Sequence, residues 1–521
     1  MQQMGVFAAA TAASPVGAAA SMRDAKATAD SVVMTGTESD NLYTRIGVRP
    51  LINARGTFTI ISGSQTLPEV KKAMFEASHY YVHMDEMMAG VGKEIAKLMG
   101  SPGAIVTCGC EAAIAVATVA CMVGMNPERS QAFPYVNARN QVIIPRYSRN
   151  QYDFGVRMSG PEIIEVESDD ELRSRITDKT AMIYVMSGPR AFQEPLSIKT
   201  VCSIAKEKGV PVFVDAAAEE PRVPNIHIAA GATFVGYSGG KCMRGPQAAG
   251  VLLGPVDLTE AAFWNAAPHH NWGRCLKVGK EEAMGMLAAV QQWYKRDHDA
   301  EQAQWLAWDN YIADALKGIP SLSTKVNMPT DDLSNRAPTL SIHWDAAQVG
   351  ITGTELVEML DKGSPRILVT GGRGKRPDMM ESSIGVMPYM MQPGDYKTVA
   401  AMLSKYLRNP GKHEAPAVAA GEPVNVAGKW KVEIHYGYGT GHQQFVLTQE
   451  GSSVTGDQNG EIYKAKLMGK ASPNSLTLTS VMRADASTIP WTFSGAVSGN
   501  EWSGDVGMGE YGTGKFTATR S

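Results

Sequence analysis

Between residues 41 and 409, apolar residues form short uninterrupted runs that are separated by segments with helical spacing. Strands that are apolar throughout, with helices between them, are typical of a parallel sheet covered by helices on both faces. The pattern therefore predicts an α/β fold, in which ligands bind beyond the carboxyl ends of the strands. The predicted strands span residues 104–107, 142–145, 163–166, 181–186, 210–214 and 232–238.

Predicted helices border the first of these strands. Pro68 suits the first turn of a helix. Residues 84–99 are apolar at helical spacing on one face, and we interpret their methionines as core rather than as cofactor contacts. Residues 111–123 are apolar on every side, which predicts a fully buried helix directly after the turn Thr-Cys-Gly-Cys.

The pattern of apolar and polar residues changes after a proline-containing linker at residues 409–425. From residue 426 to 521, short alternating runs are separated by Gly, Asn, Ser and Asp turns, which predicts a small antiparallel, barrel-like β domain. We interpret that domain as a structural or oligomer-contact module. The preceding catalytic region, residues 37–408, divides into a large domain (about 60–290) and a small domain (about 300–408) that includes the N-terminal segment.

The first 36 residues form a separate Ala-rich block. They are apolar to about residue 20, where Ala-Ala-Ala-Ser suits signal-peptide cleavage, but they lack a basic start. The block predicts a signal remnant and hence a periplasmic or secreted protein. The alternative is a disordered tail on a cytoplasmic one.

Composition narrows the function classes. The 521 residues carry 49 Lys and Arg against 52 Asp and Glu, a net charge of −3, so nucleic acid is not an expected partner. The chain has no run of about 18 apolar residues, so we expect no membrane span. The six cysteines lack disulfide or metal-ligand spacing and are interpreted as buried thiols, with no metal site.

The most informative residues follow two predicted strands. Asp215 ends the strand in VFVDAAAEE, and Lys241 lies in the Gly-rich turn of YSGGKCMRGPQ. A strand-end carboxylate can keep a pyridine nitrogen protonated, and an amine can form a Schiff base with an aldehyde. These are the two groups that pyridoxal 5'-phosphate requires from a protein.

A phosphate site is the third requirement. The turn Gly109, Cys110 and Glu111 opens the buried helix and offers backbone N–H groups, while Ser238 could add a hydroxyl. Each feature alone is common: a strand-end Asp is often a cap or an ion-pair partner, and a Gly-Gly-Lys is usually a loop. Their order and their positions at strand ends favour the combined interpretation, a pyridoxal-phosphate site.

The motifs LINARGTFTIISGS, VDAAAEE, YSGGKCMRGPQAAG, GRCLKVGKEE and IGVMPYMMQPGD resemble the selenocysteine-synthase-like group of fold-type I pyridoxal-phosphate enzymes, over roughly residues 41 to 407. The resemblance implies a type I fold with a mostly parallel central sheet. It assigns Lys241 as the Schiff-base lysine, Asp215 as the ring-nitrogen partner and residues 109–111 as the phosphate turn. It also implies a homodimer or larger homo-oligomer.

Two departures from that group concern the substrate side. Ser148 stands where relatives often have a histidine that could lie over the ring. Arg366 stands in a Pro-Arg-Ile that is usually Pro-Pro-Ile, so it could bind a substrate carboxylate, with a surface ion pair as the alternative. His270 and Arg274 are further substrate candidates.

The resemblance favours an ammonia-lyase that removes the Cα proton of an amino acid or amino sugar acid by means of Lys241. The same chemistry serves an amino-acid racemase or epimerase, which is the first alternative, and retro-aldol cleavage, which is the next. A different class is a non-catalytic binding or assembly module, against which the retention of both Lys241 and Asp215 argues.

Overall fold

The structure is a computed structural model that describes residues 40–135, 139–414 and 421–521. The predicted signal remnant, residues 1–36, and the middle of the predicted linker lie outside these ranges. Within them, the α-helices are α1 (Pro68–Ala77), α2 (Met84–Met99), α3 (Cys110–Val123), α4 (Pro127–Ala132), α5 (Phe154–Arg157), α6 (Asp169–Arg175), α7 (Ile198–Lys208), α8 (Ile226–Ala229), α9 (Val256–Trp264), α10 (Lys280–Trp293), α11 (His298–Ala315), α12 (Ala346–Val349), α13 (Gly353–Lys362) and α14 (Asp395–Arg408).

The strands that precede the linker build two sheets. They are β1 (Ile52–Ala54), β2 (Gly103–Thr107), β3 (Gln141–Pro145), β4 (Glu162–Val166), β5 (Thr180–Met186), β6 (Val212–Asp215), β7 (Phe234–Ser238), β8 (Gly250–Gly254), β9 (Ser323–Asn327), β10 (Thr339–Asp345), β11 (Ile367–Lys375) and β12 (Met379–Val386).

The larger sheet has seven strands in the order β2-β8-β7-β6-β5-β3-β4. Strand β8 runs antiparallel to both neighbours, and the remaining pairs are parallel. Helix α3 packs its apolar surface against one face of this sheet, and α2, α7 and α10 contribute to the core on the other face. Because β2, β3, β5, β6 and β7 run in the same direction, their carboxyl ends meet at one edge.

The smaller sheet has five strands in the order β1-β11-β12-β10-β9. The N-terminal strand β1 pairs in parallel with β11, so the start of the chain joins the region around residues 323–386. A separate core, with Trp308, Leu340 and Leu403 among its buried residues, lies between this sheet and the helices α11, α13 and α14.

The chain after the linker forms a closed eight-stranded barrel. Each strand is antiparallel to the next, and the last strand pairs with the first. Six buried aromatic residues fill its interior: Trp430, Phe445, Trp491, Phe493, Trp502 and Phe516. Its strands are β13 (Gly428–His435), β14 (Thr440–Glu450), β15 (Ser453–Asn459), β16 (Lys464–Ala471), β17 (Ser475–Ala484), β18 (Ser487–Ser498), β19 (Glu501–Gly507) and β20 (Thr513–Arg520).

The predicted fold class is confirmed: an α/β region with a mostly parallel central sheet is followed by a small all-β barrel. The six strands expected from apolar runs correspond to β2 through β7. Strand β8 was not predicted, because its apolar run Val-Leu-Leu is only three residues long and lies between two glycines. Within the described ranges, no helix combines the length and apolar character that crossing a bilayer requires.

Candidate active site

The residues predicted to hold a cofactor lie at the carboxyl edge of the seven-stranded sheet. Gly109, Cys110 and Glu111 follow β2, Asp215 ends β6, Ser238 ends β7, and Lys241 lies in the turn after β7. The backbone N–H of Ser238 donates to the carbonyl of Ala217 at 3.2 Å, which joins the loops after β6 and β7. The topology thus brings these residues to one edge.

Asp215 is buried and hydrogen-bonded on both carboxylate oxygens. Its Oδ2 accepts from the Tyr184 hydroxyl at 2.8 Å, and its Oδ1 accepts from the Ala217 N–H at 3.1 Å and from the Cys110 thiol at 3.4 Å. Burial, and after it the Asp215 carboxylate, raise the pKa values of Tyr184 and Cys110. Both groups therefore stay protonated and donate to Asp215 at neutral pH.

The first turn of α3 supplies the predicted phosphate site. Gly109 precedes the helix with φ of 98°, and a Cβ placed on it would have nothing within 4 Å, so its outer side is open. The first intrahelical bond at this end runs from the Ala113 N–H to the Gly109 carbonyl. The N–H groups before it have no intrahelical partner, which suits an anion.

Glu111 brings a carboxylate to the same turn. Burial and then the Asp215 charge raise the pKa of Glu111, while Arg157 opposes that shift. The folded surroundings therefore favour the protonated form of Glu111 more than water does.

Lys241 is half-buried in a turn that its two preceding glycines make possible. Its Nζ lies 5.8 Å from the centre of the Tyr152 ring. The Gly239 N–H donates to the Ala249 carbonyl at 2.8 Å, and a Cβ on Gly240 would come within 2.9 Å of the Gln247 Cα. The Gly-Gly pair therefore allows the turn to pack tightly beneath the lysine.

These residues fit pyridoxal 5'-phosphate. Lys241 supplies an amine, Asp215 supplies a carboxylate held at a strand end, and the start of α3 supplies N–H donors beside an open Gly109. The three groups come from β6, from the turn after β7 and from α3. The Cys110 thiol connects α3 to Asp215, and the bond from the Ser238 N–H to the Ala217 carbonyl connects the loops after β6 and β7.

The three predicted substrate residues do not join this cluster through any contact among the described residues. Arg366 precedes β11 and forms an ion pair with Asp361, Nε to Oδ1 at 2.7 Å, which corresponds to the ion-pair alternative for this residue. His270 and Arg274 are exposed in the segment after α9, where the His270 carbonyl accepts from the Gln131 side chain. Their role in binding substrate stays a prediction.

The sequence analysis did not identify Tyr152, Asn150 and Tyr184 as side chains of the site. Ser148 is buried, and its hydroxyl accepts from the Met186 N–H at 3.1 Å. The Tyr152 ring lies 5.8 Å from Lys241 Nζ, and Asn150 donates to the Tyr184 hydroxyl at 3.3 Å. Tyr184 itself was hidden in an apolar run, where its hydroxyl was the one available signal.

Comparisons with known proteins agree with this geometry. No family model matches the chain. A 5'-C-glycyluridine monooxygenase-decarboxylase from Streptomyces is 27% identical over 382 residues, 71% of this chain and 92% of the relative. A D-glucosaminate-6-phosphate ammonia lyase from Salmonella typhimurium is 27% identical over 336 residues, 62% of this chain and 87% of the relative.

A solved structure of D-glucosaminate-6-phosphate ammonia-lyase superposes with a TM-score of 0.61 at 25% identity, over 71% of this chain and 98% of that one. This chain has the type I pyridoxal-phosphate fold. The type I fold accounts for the seven-stranded sheet with its single antiparallel strand and for the second, smaller sheet. The predicted resemblance and the predicted cofactor, pyridoxal 5'-phosphate, are thereby confirmed. The roles of the individual residues stay predictions.

Proposed function

We propose that this chain is a pyridoxal-phosphate-dependent lyase that removes the Cα proton of an amino acid or amino sugar acid and releases ammonia. One observation carries the proposal: Asp215 and the start of α3 are joined at the sheet edge on which the Lys241 turn also lies. The ammonia lyase among the relatives supports the choice of elimination.

The residues divide the chemistry among them. When bound, pyridoxal 5'-phosphate supplies the electron sink that stabilises negative charge at Cα. Asp215 would hold the proton on the ring nitrogen, and the turn at residues 109–111, through the N–H groups of Cys110 and Glu111, would bind the phosphate together with Ser238. Lys241 would hold the cofactor through its amine and, with that amine free, would accept the Cα proton of the substrate.

Elimination and racemisation differ in the step after proton removal. Loss of a β-hydroxyl and subsequent hydrolysis yield a keto acid and ammonia. Return of the proton to the opposite face yields the other stereoisomer instead. Ammonia release therefore supports the lyase, and exchange of the α-hydrogen with solvent without loss of substrate supports the racemase or epimerase.

A second candidate rests on the Streptomyces relative, which covers more of this chain than the lyase does and is named a monooxygenase-decarboxylase. The candidate reaction is oxidative decarboxylation of an amino acid. It consumes oxygen and releases carbon dioxide, so parallel assays with and without oxygen distinguish it from an elimination.

The substrate class depends on the compartment. We propose export on the basis of the Ala-rich residues 1–36. Phosphorylated sugar acids are cytoplasmic metabolites, so an exported enzyme would act on an unphosphorylated amino acid or amine. Fractionation of the producing cells tests this point.

The visible absorption of the purified protein, before and after borohydride reduction, tests the proposal. We expect a visible band in the wild type that borohydride removes, with the label on Lys241 in peptide mass spectra. The variant Lys241→Ala should lack the band and the label. Lys93→Ala, at an exposed position of α2, is the matched control and should keep both.

A wild type that stays colourless after addition of pyridoxal 5'-phosphate contradicts the proposal. It would favour the alternative in which the chain is a binding or assembly module.

A further inference from the structure

A buried network of three polar side chains lies behind the candidate site and has no part in the proposed chemistry. Glu219 and His227 are 1% and 0% exposed, and Ser187 is also buried. The His227 Nε2 donates to Glu219 Oε2 at 2.6 Å, and the Ser187 hydroxyl donates to Glu219 Oε1. The Glu219 carboxylate therefore has a partner on each oxygen.

This network is joined to both Asp215 and the lysine turn. The Ser187 N–H donates to the Asp215 carbonyl at 2.9 Å. The thiol of Cys242, the residue after Lys241, donates to the Glu219 carbonyl at 3.2 Å. Glu219 thus lies between the strand end that holds Asp215 and the turn that holds Lys241.

The network also reaches the smaller sheet's region. Glu219 pairs with Ser334 in an isolated β-bridge. The Asn335 N–H donates to the Ala218 carbonyl, and the Glu220 N–H donates to the Leu333 carbonyl, both at 3.0 Å. The loop that contains Glu219 is therefore held from three sides.

His227 is fixed independently of the carboxylate. The Asn225 Oδ1 accepts from the His227 and Ile228 N–H groups at 3.1 Å, and the Phe192 ring stacks on the imidazole at 6.0 Å. His227 Nδ1 has no hydrogen-bond partner among the described residues. His227 therefore binds Glu219 through Nε2, which is the one ring nitrogen that has a hydrogen-bond partner among the described residues.

Burying a carboxylate costs free energy that an apolar side chain would not cost. Apolar packing would suffice if the loop had only to fill space. A carboxylate with two fixed donors instead defines one position and one orientation, since its hydrogen bonds are directional. The need for a defined position is greatest where two loops must present Asp215 and Lys241 to the same ligand.

We propose that Glu219 is a positioning residue, which with His227 and Ser187 fixes the spacing between the Asp215 strand end and the Lys241 turn. The inference rests on the proposed function. Glu219 touches neither substrate nor cofactor. It acts through the Ser187 and Cys242 contacts that hold the two loops.

The test is the visible circular dichroism of the protein loaded with pyridoxal 5'-phosphate, divided by its absorbance. This ratio reports how rigidly the bound ring is oriented, and loss of stability alone does not change it. For Glu219→Gln we expect an unchanged cofactor content, a ratio lowered about twofold or more, and a kcat lowered about tenfold with KM little changed. Ser187→Ala, which removes one hydrogen bond, should shift the ratio in the same direction by less.

Asp395→Asn is the control for general destabilisation. Asp395 is likewise buried, and its Oδ2 accepts from the Gln392 N–H at 2.8 Å at the start of α14. We expect a lower melting temperature and a wild-type dichroism ratio. A Glu219→Gln ratio equal to that of Asp395→Asn overturns the inference, and if Glu219→Gln does not fold, a wild-type ratio in Ser187→Ala overturns it.

The outcomes separate the two proposals. If the wild type is coloured and Glu219→Gln has the wild-type ratio of dichroism to absorbance, only the positioning role is contradicted. A colourless wild type removes the proposed function and the positioning role with it.

Discussion

Asp309 is an acidic residue that is buried without hydrogen-bond partners. It lies in α11 with no exposed surface, and neither carboxylate oxygen has a hydrogen-bond partner among the described residues. Burial raises its pKa from 3.8 to about 8. Asp309 is therefore neutral in the folded protein between about pH 4 and pH 8, where it is ionised in the unfolded chain.

This difference predicts how stability depends on pH. Between about pH 4 and pH 8, the folded state keeps a proton that the unfolded state has lost, so stability falls as pH rises, by up to about 1.4 kcal/mol per pH unit. Above about pH 8 both states are ionised and this contribution stays constant. Asp309→Asn should remove the dependence and unfold at higher urea than the wild type at pH 8. Parallel urea midpoints for the two proteins from pH 5 to pH 9 would contradict the prediction.

The sequence predicts the position of a residue where the neighbouring residues in the chain define its structural setting. Asp215 and Lys241 stand at the ends of apolar runs, and so their place at the sheet edge was predictable. Glu219 and His227 are brought together by the fold of the loop between β6 and β7. The residue types alone do not predict this contact. Arg366 was placed by a motif, which did not reveal the neighbouring Asp361.

At the scale of elements, strand β8 shapes the start of α3. A Cβ on Gly250, the first residue of β8, would come within 2.6 Å of the Gly109 carbonyl carbon and 2.8 Å of the Cys110 nitrogen. These are backbone atoms of the predicted phosphate turn, which cannot yield as a flexible side chain can. The absence of a side chain at Gly250 therefore allows the turn to lie against the sheet.

Gly250→Ala should displace the phosphate turn and weaken cofactor binding. We expect the dissociation constant of pyridoxal 5'-phosphate to rise about tenfold or more, equivalent to about 1.4 kcal/mol. Titration of the absorbance of cofactor-free protein measures it. Gly90→Ala is the control, because a Cβ there meets nothing within 4 Å and alanine favours a helix. Equal affinity in both variants would show that the turn does not bind the phosphate.

Element prediction depended on the contrast between each element and its flanks. The alternation of the barrel strands is strong and predicted an all-β domain, while the uninterrupted apolar runs predicted β2 to β7. Strand β8 has the same apolar character, but its run Val-Leu-Leu is only three residues long between two glycines, and it comes after a turn rich in glycine and proline. Its antiparallel direction comes from the tertiary path of the chain, which local pattern does not encode.

At the scale of the whole molecule, the barrel contacts both parts of the catalytic region. Lys470 on β16 forms an ion pair with Asp378 at 2.9 Å, and Asp485 after β17 lies 3.7 Å from Arg157 at the end of α5. Exposed ion pairs contribute little, roughly 0.2–1 kcal/mol. No pattern in the sequence predicts which residues form these contacts.

Many of the exposed large hydrophobic residues lie near the start of the described chain. Ten of the 31 large hydrophobic residues that the described ranges leave exposed fall between residues 42 and 82, and Tyr81 and Ile60 are 104% and 85% exposed. Concentrated exposed apolar surface is typical of a protein interface. The expected occupant is a second copy of the chain, since the resemblance to type I enzymes implies a homodimer.

Replacing Tyr81 and Ile60 together by lysine should therefore convert a dimer into a monomer, because two charges would be buried in each copy of the interface. Sedimentation velocity measures the masses. Ile462→Lys, at an 81% exposed position of the barrel, is the matched control and should leave the dimer intact. If the wild type sediments as a monomer, or if the barrel variant alone dissociates, the interface does not lie at residues 42–82.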